Sequence, residues 1–368
     1  MKISVISARY ALSGVPLAQL RFSRALASVG NDVDLIYGFV NPGNTLPKVP
    51  GVTVLTQNKH RVLGMLVPLI QYFNIHKPDI VFSAGDHLNA IVLIAALISG
   101  SKAKISCSSR VTPFDTYSNI LFTKRWILKQ VMRLVMARAN ALTCVSIDMV
   151  EQYRSLFKYS SHVCVYNIIE NADAHHLMSE DVSEEWLVNK QETILIAAGN
   201  LVVWKGFSDL ILALSHVRKI RNARLIILGD GPERSALQSL IESLDLGGAV
   251  KLLGYVDNPL KYFSRSDIFV LSSHVEGLPN VLVEAMMCGC TPVSTNCPTG
   301  PREVLQDGKY GYLLPVGDPI ALAEGIIRAI DKPISASCLS EAVKPFSKHE
   351  VLSRHFDILG LSEEFSNG

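Results

Sequence analysis

The sequence has 368 residues, of which 48% are hydrophobic and 18% charged, with a net charge of +2. This length favours two domains, and this composition excludes a mainly disordered chain. The seven cysteines show no C-x-x-C spacing, so we expect reduced thiols, no structural zinc and a cytoplasmic protein. We expect neither a signal peptide nor a membrane span, because the apolar runs are shorter than the ~20 residues that cross a bilayer.

In the first half, short runs of β-branched and other apolar residues alternate with helical stretches. Continuous hydrophobicity indicates strands that are buried on both faces of a parallel sheet. The predicted strands are Lys2 to Ser7, Val33 to Phe39, Val52 to Leu55, Ile80 to Ser83, Ala103 to Cys107 and Ala141 to Val145. The predicted helices include 15–28, 87–98 and about 118–138. This alternation predicts a doubly wound α/β domain over residues 1–166.

A polar, acidic stretch that includes Glu170 interrupts the pattern, and we expect a linker over residues 167–190. The alternation returns over residues 191–348 and predicts a second α/β domain of the same class. Its predicted strands are Thr193 to Ala198, Ala223 to Leu228, Val250 to Leu253, Ile268 to Leu271, Thr291 to Ser294 and Gly311 to Leu314. The expected fold is therefore two Rossmann-like doubly wound domains that face a cleft, with ligands beyond the carboxyl ends of the strands.

The small net charge hides a division between the two halves. Residues 1–165 contain 18 Lys and Arg against seven Asp and Glu, whereas the remainder contains 17 against 26. Surfaces of opposite sign favour different partners for the two domains.

Two glutamates follow the fourth predicted strand of the second domain. Glu276 precedes a Gly-Leu-Pro turn, and Glu284 lies about one turn inside the helix that we expect Pro279 to begin. The free N–H groups of such a helix suit an anion. Glu276 could instead cap the helix and Glu284 could be a solvated residue, but the apolar sequence after Glu284 makes it a charge on a buried helix, which needs a partner.

Other strand ends carry further candidates. Lys205 precedes a predicted helix at Gly206, where a cation and a helix dipole could hold a phosphate together. A lone lysine is more often a surface residue. The segment Gly229-Asp230-Gly231 resembles a dinucleotide fingerprint but lacks the third glycine. The first domain offers a loop with Ser13 and Gly14, and the strand-end residues Asp86, His87 and Arg110. Nucleophilic triads, metal-ligand spacings and phosphate loops are not found.

Together these motifs resemble the GT-B retaining glycosyltransferases of glycosyltransferase family 4. The resemblance covers nearly the whole chain and is densest from Ile194 to Leu314. Its most specific part is Glu276, seven residues and Glu284, in the context Glu-Gly-Leu-Pro-Asn. The Lys205-Gly206 element, the Gly229 segment and the Gly254-Tyr255-Val256 segment occur in the family order.

The resemblance implies a nucleotide-sugar donor held by the second domain, with UDP as the preferred nucleotide. Lys205 would contact the diphosphate, Glu276 the transferred sugar and Glu284 the ribose hydroxyls. The other implied donor-site residues are Gly14, Gly199, Asn200, Gly229, Gly254, Tyr255, Gly277, Leu278, Pro279 and Asn280. It further implies retention of anomeric configuration without a metal or other cofactor, and a C-terminal helix over residues 349–365 that packs on the first domain. The first domain would bind the acceptor, for which Asp86, His87 and Arg110 are candidate residues.

The sequence departs from the family pattern at three places. Asn200 stands where an arginine is common, so a usual cation on the diphosphate is missing, and Arg302 is a candidate to replace it. The N-terminal loop has Ser13-Gly14 where Gly-Gly is frequent. Arg110 ends a strand segment that often carries a histidine, which indicates a different acceptor.

A basic helix in the first domain suggests a membrane contact. Arg125, Lys129 and Arg133 are spaced four apart on one helical face, between apolar residues. This face could simply be solvated, or it could rest on anionic lipid at the inner face of the cell membrane.

The sequence therefore predicts a hexosyl- or N-acetylhexosaminyl-type glycosyltransferase that extends a glycan or lipid-linked acceptor during synthesis of cell-surface polysaccharide or glycolipid. We expect no nucleic-acid partner. Two alternatives remain open: a sugar-nucleotide epimerase of similar architecture, and an inactive glycosyltransferase-like binding subunit, which Asn200 favours.

Overall fold

The computed structural model describes residues 1–11, 14–43, 45–158, 160–169 and 173–362. The described chain divides into two compact units. The first comprises the residues up to Ile169 and those from Ser347 onwards, and the second comprises the residues between them. Ser13, Glu170 and residues 363–365 of the expected last helix lie outside the described residues.

The strands are β1 Lys2–Tyr10, β2 Asp32–Val40, β3 Val52–Thr56, β4 Ile80–Ala84, β5 Lys104–Ser109, β6 Ala141–Cys144, β7 His162–Cys164, β8 Thr193–Ala198, β9 Ala223–Leu228, β10 Val250–Gly254, β11 Ile268–Leu271, β12 Thr291–Thr295 and β13 Tyr312–Leu314. The α-helices are α1 Gly14–Ser28, α2 Leu66–His76, α3 Asp86–Ser99, α4 Pro113–Thr116, α5 Lys124–Val135, α6 Ile147–Leu156, α7 Ala174–Ser179, α8 Glu185–Val188, α9 Phe207–Val217, α10 Arg234–Ser243, α11 Leu260–Phe263, α12 Asn280–Met287, α13 Pro301–Val304, α14 Pro319–Asp331, α15 Ala336–Val343 and α16 Lys348–Ile358. Short 3₁₀ turns cover Val62–Met65, Met136–Arg138, Val203–Lys205 and Lys344–Phe346.

Each unit is built on a parallel sheet. The first has the strand order β3-β2-β1-β4-β5-β6-β7, and the second has the order β10-β9-β8-β11-β12-β13. Every predicted strand coincides with an observed one, and the predicted class of two doubly wound α/β units is confirmed. The prediction missed β7, a three-residue edge strand that pairs only with β6 and is too short for a clear apolar run.

The last helix completes the core of the first unit. On α16, Val351, Leu352 and Phe356 are at most 2% exposed and pack with residues of β1, β2 and β4. This helix ends at Ile358, so it is shorter than the expected segment 349–365.

Residues 173–190 differ from the linker expected from their polarity, because they pack within the second unit. Trp186 is 9% exposed, with Lys251 Nζ 4.2 Å from the centre of its ring. Lys251 also pairs with Glu184 at 2.6 Å, and Asn258 donates to the carbonyl of Leu177. The acidic residues dominated the sequence pattern, whereas the buried Trp186 and the polar contacts beside it anchor the segment.

The buried His355 on α16 makes the stability of the first unit dependent on pH. Its ring lies between those of Phe22 and Phe82, at centre distances of 5.0 and 5.2 Å. Burial, followed by the positive charge of Arg110, lowers the pKa of His355 to about 3.

The lowered pKa means that the folded chain holds His355 neutral while the unfolded chain protonates it near pH 6.5. The stabilisation is complete above pH 6.5 and is lost as the pH falls towards 3. Replacing His355 by leucine should make the loss of stability between pH 7 and pH 5 about 2 kcal/mol smaller than in the wild type. Urea unfolding at both pH values measures this, with His349→Gln on the exposed side of the same helix as control. An unchanged pH dependence in His355→Leu would contradict the assignment.

Candidate donor site in the second unit

The best-defined polar site lies where the order of the second sheet reverses. β8 is the first strand of this unit, and its neighbours are β9 and β11. The loops after β8 and β11 therefore start side by side at the carboxyl edge, and ligands of open α/β sheets bind at such a switch point. Lys205 belongs to the first of these loops and Glu276 to the second.

Backbone contacts tie the two loops together. The Ser272 hydroxyl donates to the carbonyl of Lys205 at 2.9 Å, and the His274 amide donates to the carbonyl of Trp204 at 2.8 Å. Between them Gly206 adopts φ +62°, and a Cβ added there would lie 2.1 Å from the Ser272 carbonyl oxygen. Only glycine therefore allows the loops to approach this closely.

This approach brings Lys205 and Glu276 into direct contact. Lys205 Nζ lies 2.6 Å from Glu276 Oε1, and the Ser273 hydroxyl donates to the same oxygen at 2.6 Å. The side chains are 21% and 10% exposed, respectively. An ion pair in this half-buried setting is stronger than one at the surface. The site thus holds a cation and a carboxylate together at the end of the sheet.

The loop after β12 holds the backbone of Glu276. The Glu276 amide donates to the Pro298 carbonyl at 2.7 Å, while the Thr299 amide and hydroxyl both donate to the Glu276 carbonyl at 3.0 Å. The Thr299 hydroxyl also donates to Gly277 O at 2.7 Å. Three loops therefore fix the position of the Glu276 backbone.

Glu284 lies in the second turn of α12 and is 8% exposed. Pro279 occupies the cap position and the helix begins at Asn280, one residue later than the sequence indicated. The negative charge of Glu284 adds to burial in raising the pKa of the Cys288 thiol to about 12. Burial and then Glu276 likewise raise the pKa of Cys297 to about 12. Both thiols are protonated at neutral pH, and this makes them poor nucleophiles.

The glycines at the neighbouring strand ends allow close contacts between backbone segments. A Cβ added to Gly229 would lie 1.9 Å from Gly199 O, and one added to Gly231 would lie 2.5 Å from Leu201 O. The Gly229 amide donates to Gly254 O at 2.7 Å. These contacts place Gly199, Gly229 and Gly254 along one edge of the sheet and explain the fingerprint-like sequence without a dinucleotide. Asn200 and Tyr255, which follow two of these glycines, are exposed.

Three residues of this site were missed by the sequence analysis. Ser273 could have been found as a polar residue at the carboxyl end of a strand. Thr299 gave no signal, because its role depends on a loop that meets Glu276 only in the fold. His274 Nε2 lies 2.7 Å from Asp209 Oδ2, which links the β11 loop to α9. Arg302 pairs with Asp307 on the surface.

Candidate residues of the first unit take different positions. Gly14 begins α1 and has open space where a Cβ would be, and His87 is exposed. Asp86 is buried and accepts hydrogen bonds from Ser109 Oγ at 2.8 Å and Tyr153 OH at 2.6 Å. Burial raises its pKa, against these hydrogen bonds. Asp86 therefore cross-links the sheet edge, in contrast to the open acceptor residue that we expected.

The side chain of Arg110 also makes its hydrogen bond within the protein. Its guanidinium donates to the side chain of Asn167. Burial lowers the pKa of Arg110 to about 10, which still leaves it charged at neutral pH.

The helix α5 does not expose all three of the cations that the sequence placed on one face. Arg125 and Arg133 are exposed, whereas Lys129 is 5% exposed and donates to Asn119 Oδ1 at 2.6 Å. The four-residue spacing was correct for a helix, but it did not reveal which part of the face packs inwards. Among the described residues, no helix has the length and hydropathy of a membrane span, and no cluster of three or more potential metal-ligating residues occurs.

Comparisons with known proteins bear on this site. Residues 178–345, which contain all of its side chains, match the family model "Glycosyl transferases group 1". An uncharacterised glycosyltransferase of Methanocaldococcus jannaschii is 31% identical over 274 residues, which cover 69% of this chain and 67% of the relative. The chain belongs to the glycosyl transferases group 1 family.

Other relatives are more distant. The N-acetylgalactosamine-N,N'-diacetylbacillosaminyl-diphospho-undecaprenol 4-alpha-N-acetylgalactosaminyltransferase of Campylobacter jejuni is 28% identical, and the alignment covers 65% of this chain and 63% of that enzyme. Among solved structures, Anabaena HepE in complex with UDP has a TM-score of 0.73 at 19% identity, with 100% of this chain and 99% of that chain covered. The lipopolysaccharide outer core galactosyltransferase WaaB, in its apo form, also has a TM-score of 0.73 at 18% identity, with 99% and 100% covered. These structures share the fold of this chain.

The ion pair yields a prediction for nucleotide binding. Lys205→Ala should weaken binding of a nucleoside diphosphate by roughly ten- to a hundredfold, because a charge-assisted contact is lost. Glu276→Gln should strengthen it severalfold, because Lys205 no longer has to leave a carboxylate partner. Isothermal titration calorimetry with UDP, GDP and ADP measures both effects.

The surface pair Lys309–Glu341, 3.5 Å apart in the same unit, provides the matched control. Lys309→Ala and Glu341→Gln should leave nucleotide affinity unchanged. Equal nucleotide affinities for wild type and Lys205→Ala would show that Lys205 does not contact the diphosphate.

The close approach at Gly206 yields a second prediction. Gly206→Ala should lower the free energy of unfolding by at least about 2 kcal/mol, since it combines a left-handed residue with a backbone clash. Gly247→Ala, where a Cβ meets open space, is the control. Chemical denaturation checks both variants, and equal stability would show that the loops can separate without penalty.

Proposed function

We propose that this chain transfers a sugar from a nucleotide-sugar donor, with a UDP-sugar as the first choice, to a glycan or lipid-linked acceptor in the synthesis of cell-surface polysaccharide or glycolipid. The observation that carries the proposal is the contact between Lys205 and Glu276 at the switch point of the second sheet. The reaction is proposed to retain the anomeric configuration and to need no metal or other cofactor.

Lys205 is proposed to stabilise the leaving group. When the bond between the sugar and the diphosphate breaks, negative charge develops on the phosphate oxygen, and a fixed cation next to it lowers the barrier. The N-terminal end of α12, which begins at Asn280 after Gly277, Leu278 and Pro279, is proposed to stabilise the same anion through the positive end of the helix dipole. With Asn200 in place of a second cation, Lys205 carries most of this task.

Glu276 is proposed to face the transferred sugar. The structure shows its carboxylate paired with Lys205 and hydrogen-bonded to Ser273. Donor binding would draw Lys205 to the diphosphate and free Glu276 Oε1 to accept from sugar hydroxyls. Glu276 is also the only candidate that we identify for a carboxylate nucleophile, should the reaction proceed by double displacement.

The remaining donor contacts are proposed from the positions of Glu284, Gly254 and Tyr255 in the second unit. Glu284, buried on α12, is proposed to accept hydrogen bonds from the two ribose hydroxyls, which suits a carboxylate with two oxygens. The loop at Gly254 and the exposed Tyr255 are proposed to line the base. Gly14, at the start of α1, stays a proposed donor contact on the strength of the family resemblance alone. Exposed residues of the first unit such as His87 are proposed to serve the acceptor.

Named relatives support the substrate class. Anabaena HepE has been solved with UDP and with UDP-glucose. The Campylobacter jejuni enzyme is named for a diphospho-undecaprenol acceptor, and a Rhizobium meliloti relative, 32% identical over 47% of this chain, is named as a lipopolysaccharide core biosynthesis glycosyltransferase. By analogy we propose action on a lipid-linked or growing surface glycan at the cytoplasmic face of the membrane.

A donor screen tests the proposal. The purified chain is incubated with UDP-, GDP- and ADP-sugars, with and without lipid-linked acceptors, and released nucleotide and product are measured. We expect turnover with one nucleotide family that depends on acceptor and falls at least a hundredfold in Glu276→Gln. Binding without turnover would favour the inactive subunit, and a changed sugar configuration in the donor itself would favour the epimerase.

Metal independence and stereochemistry form a further prediction. Turnover should be unchanged by EDTA, because Lys205 and the positive end of the α12 dipole supply the charge that a metal would otherwise provide. Proton NMR of the first product formed should show the same anomeric configuration as the donor. Loss of activity in EDTA that returns with Mg²⁺ or Mn²⁺, or an inverted product, would overturn the corresponding part of the proposal.

A further inference from the structure

A pocket in the first unit brings together cations that the donor chemistry does not use. It has a volume of about 550 Å³ and lies between α5 and the end of α6. Lys129, Arg133 and Lys158 line it, together with the polar residues Asn119, Ser155 and Ser160. None of the described residues that line it is acidic.

The electrostatics of this pocket favour an anion. Lys129 is 5% exposed, and its ammonium group donates to the neutral oxygen of Asn119. Burial, followed by repulsion from Arg133, lowers the pKa of Lys129. A buried ammonium beside a second cation is costly without a counter-charge. Three cations with hydroxyl and amide groups suit the oxygens of a phosphate.

An exposed apolar tip directly follows the pocket residue Asn119. Ile120, Leu121 and Phe122 are 71%, 63% and 82% exposed. Three adjacent large apolar side chains in water are unfavourable unless another surface covers them. The exposed cations Lys124 and Arg125 come next in the chain.

Local hydrogen bonds and a ring contact hold the tip in a defined conformation. The Thr123 hydroxyl donates to the Ile120 carbonyl at 2.8 Å and accepts from the Trp126 amide at 3.1 Å, which joins the tip to the start of α5. Phe122 adopts φ +61°, a conformation that strains a bulky residue and that the surrounding contacts must maintain. Its ring lies 5.6 Å from that of Trp126. The exposure is therefore held in place.

The charge distribution around the tip suits an anionic surface. From Asn119 to Lys158, the segment that contains the tip, α5 and α6, the sequence has seven Lys and Arg against two carboxylates, Asp148 and Glu151. Apolar side chains next to cations, with few carboxylates nearby, are the pattern of proteins that lie in the interface of anionic bilayers.

We propose that this pocket binds the phosphate of an anionic lipid headgroup while Ile120, Leu121 and Phe122 enter the bilayer beside it. The site is separate from the proposed donor site, and its partner is a bilayer of anionic phospholipid. This proposal takes the place of the membrane contact that the sequence suggested for Arg125, Lys129 and Arg133 on one face of α5. Lys129 lines the pocket, so the three cations do not act as one exposed face.

Vesicle flotation tests the proposal. The full chain should float with phosphatidylcholine vesicles that contain phosphatidylglycerol, and less well with phosphatidylcholine alone. Leu121→Ser/Phe122→Ser and Arg133→Gln/Lys158→Gln should each lower the partition coefficient roughly tenfold or more. All four residues are exposed, so folding should persist, which thermal melting and unchanged nucleotide binding verify.

Matched controls separate this site from general attraction. Lys48→Gln/Lys102→Gln removes the same charge from exposed positions of the same unit, and Val67→Ser/Ile75→Ser removes two exposed apolar side chains from α2. Both controls should bind vesicles nearly as the wild type does. Wild-type binding by the tip and pocket variants, or an equal loss in the controls, would overturn the proposal.

Glycerol 3-phosphate in solution distinguishes the source of the phosphate. Weak thermal stabilisation of the wild type that is absent in Arg133→Gln/Lys158→Gln, together with vesicle flotation, supports a lipid headgroup. Stabilisation without flotation would identify a soluble phosphate ligand and overturn the lipid assignment. Because nucleotide binding is measured separately, failure of this proposal leaves the donor site unaffected, and failure of the donor site leaves the flotation result valid.

Discussion

The close approach of two loops at the centre of the second sheet is the constraint on which the candidate donor site depends. Gly206 lets the loop after β8 rest against Ser272 at the end of β11, and this contact sets the 2.6 Å distance between Lys205 and Glu276. Neither side chain alone defines a site. Together they form a cation paired with a carboxylate at the switch point of the sheet, where ligands of open α/β sheets bind.

Most of the fold could be predicted because buried parallel strands leave a strong local signal. The strands β8 to β13 were located from continuous apolar runs, and Lys205 and Glu276 from their positions after strand ends. Glu284 was located as a charge on an apolar helix. The contact between Lys205 and Glu276 could not be read from the sequence, because 71 residues separate them and the strand order alone makes them neighbours. Thr299 was missed for the same reason.

Burial of polar groups was harder to predict than their location. Asp86 was identified at a strand end, but Tyr153, from a distant helix, turns it into an internal hydrogen-bond acceptor. Lys129 was placed on a helix face correctly, yet local periodicity cannot tell whether a cation meets water or Asn119. In both cases the decisive neighbour comes from another element of the chain.

The return of α16 to the first unit has a consequence for how the chain folds during synthesis. The second unit is one continuous segment, whereas the core of the first requires Val351, Leu352 and Phe356, which follow that segment in the chain. During translation the second unit can complete its sheet while the first still exposes the apolar groove that α16 fills. The N-terminal unit, although made first, is therefore the last to close, and its unfinished surface is the part of the nascent chain most in need of protection by a chaperone.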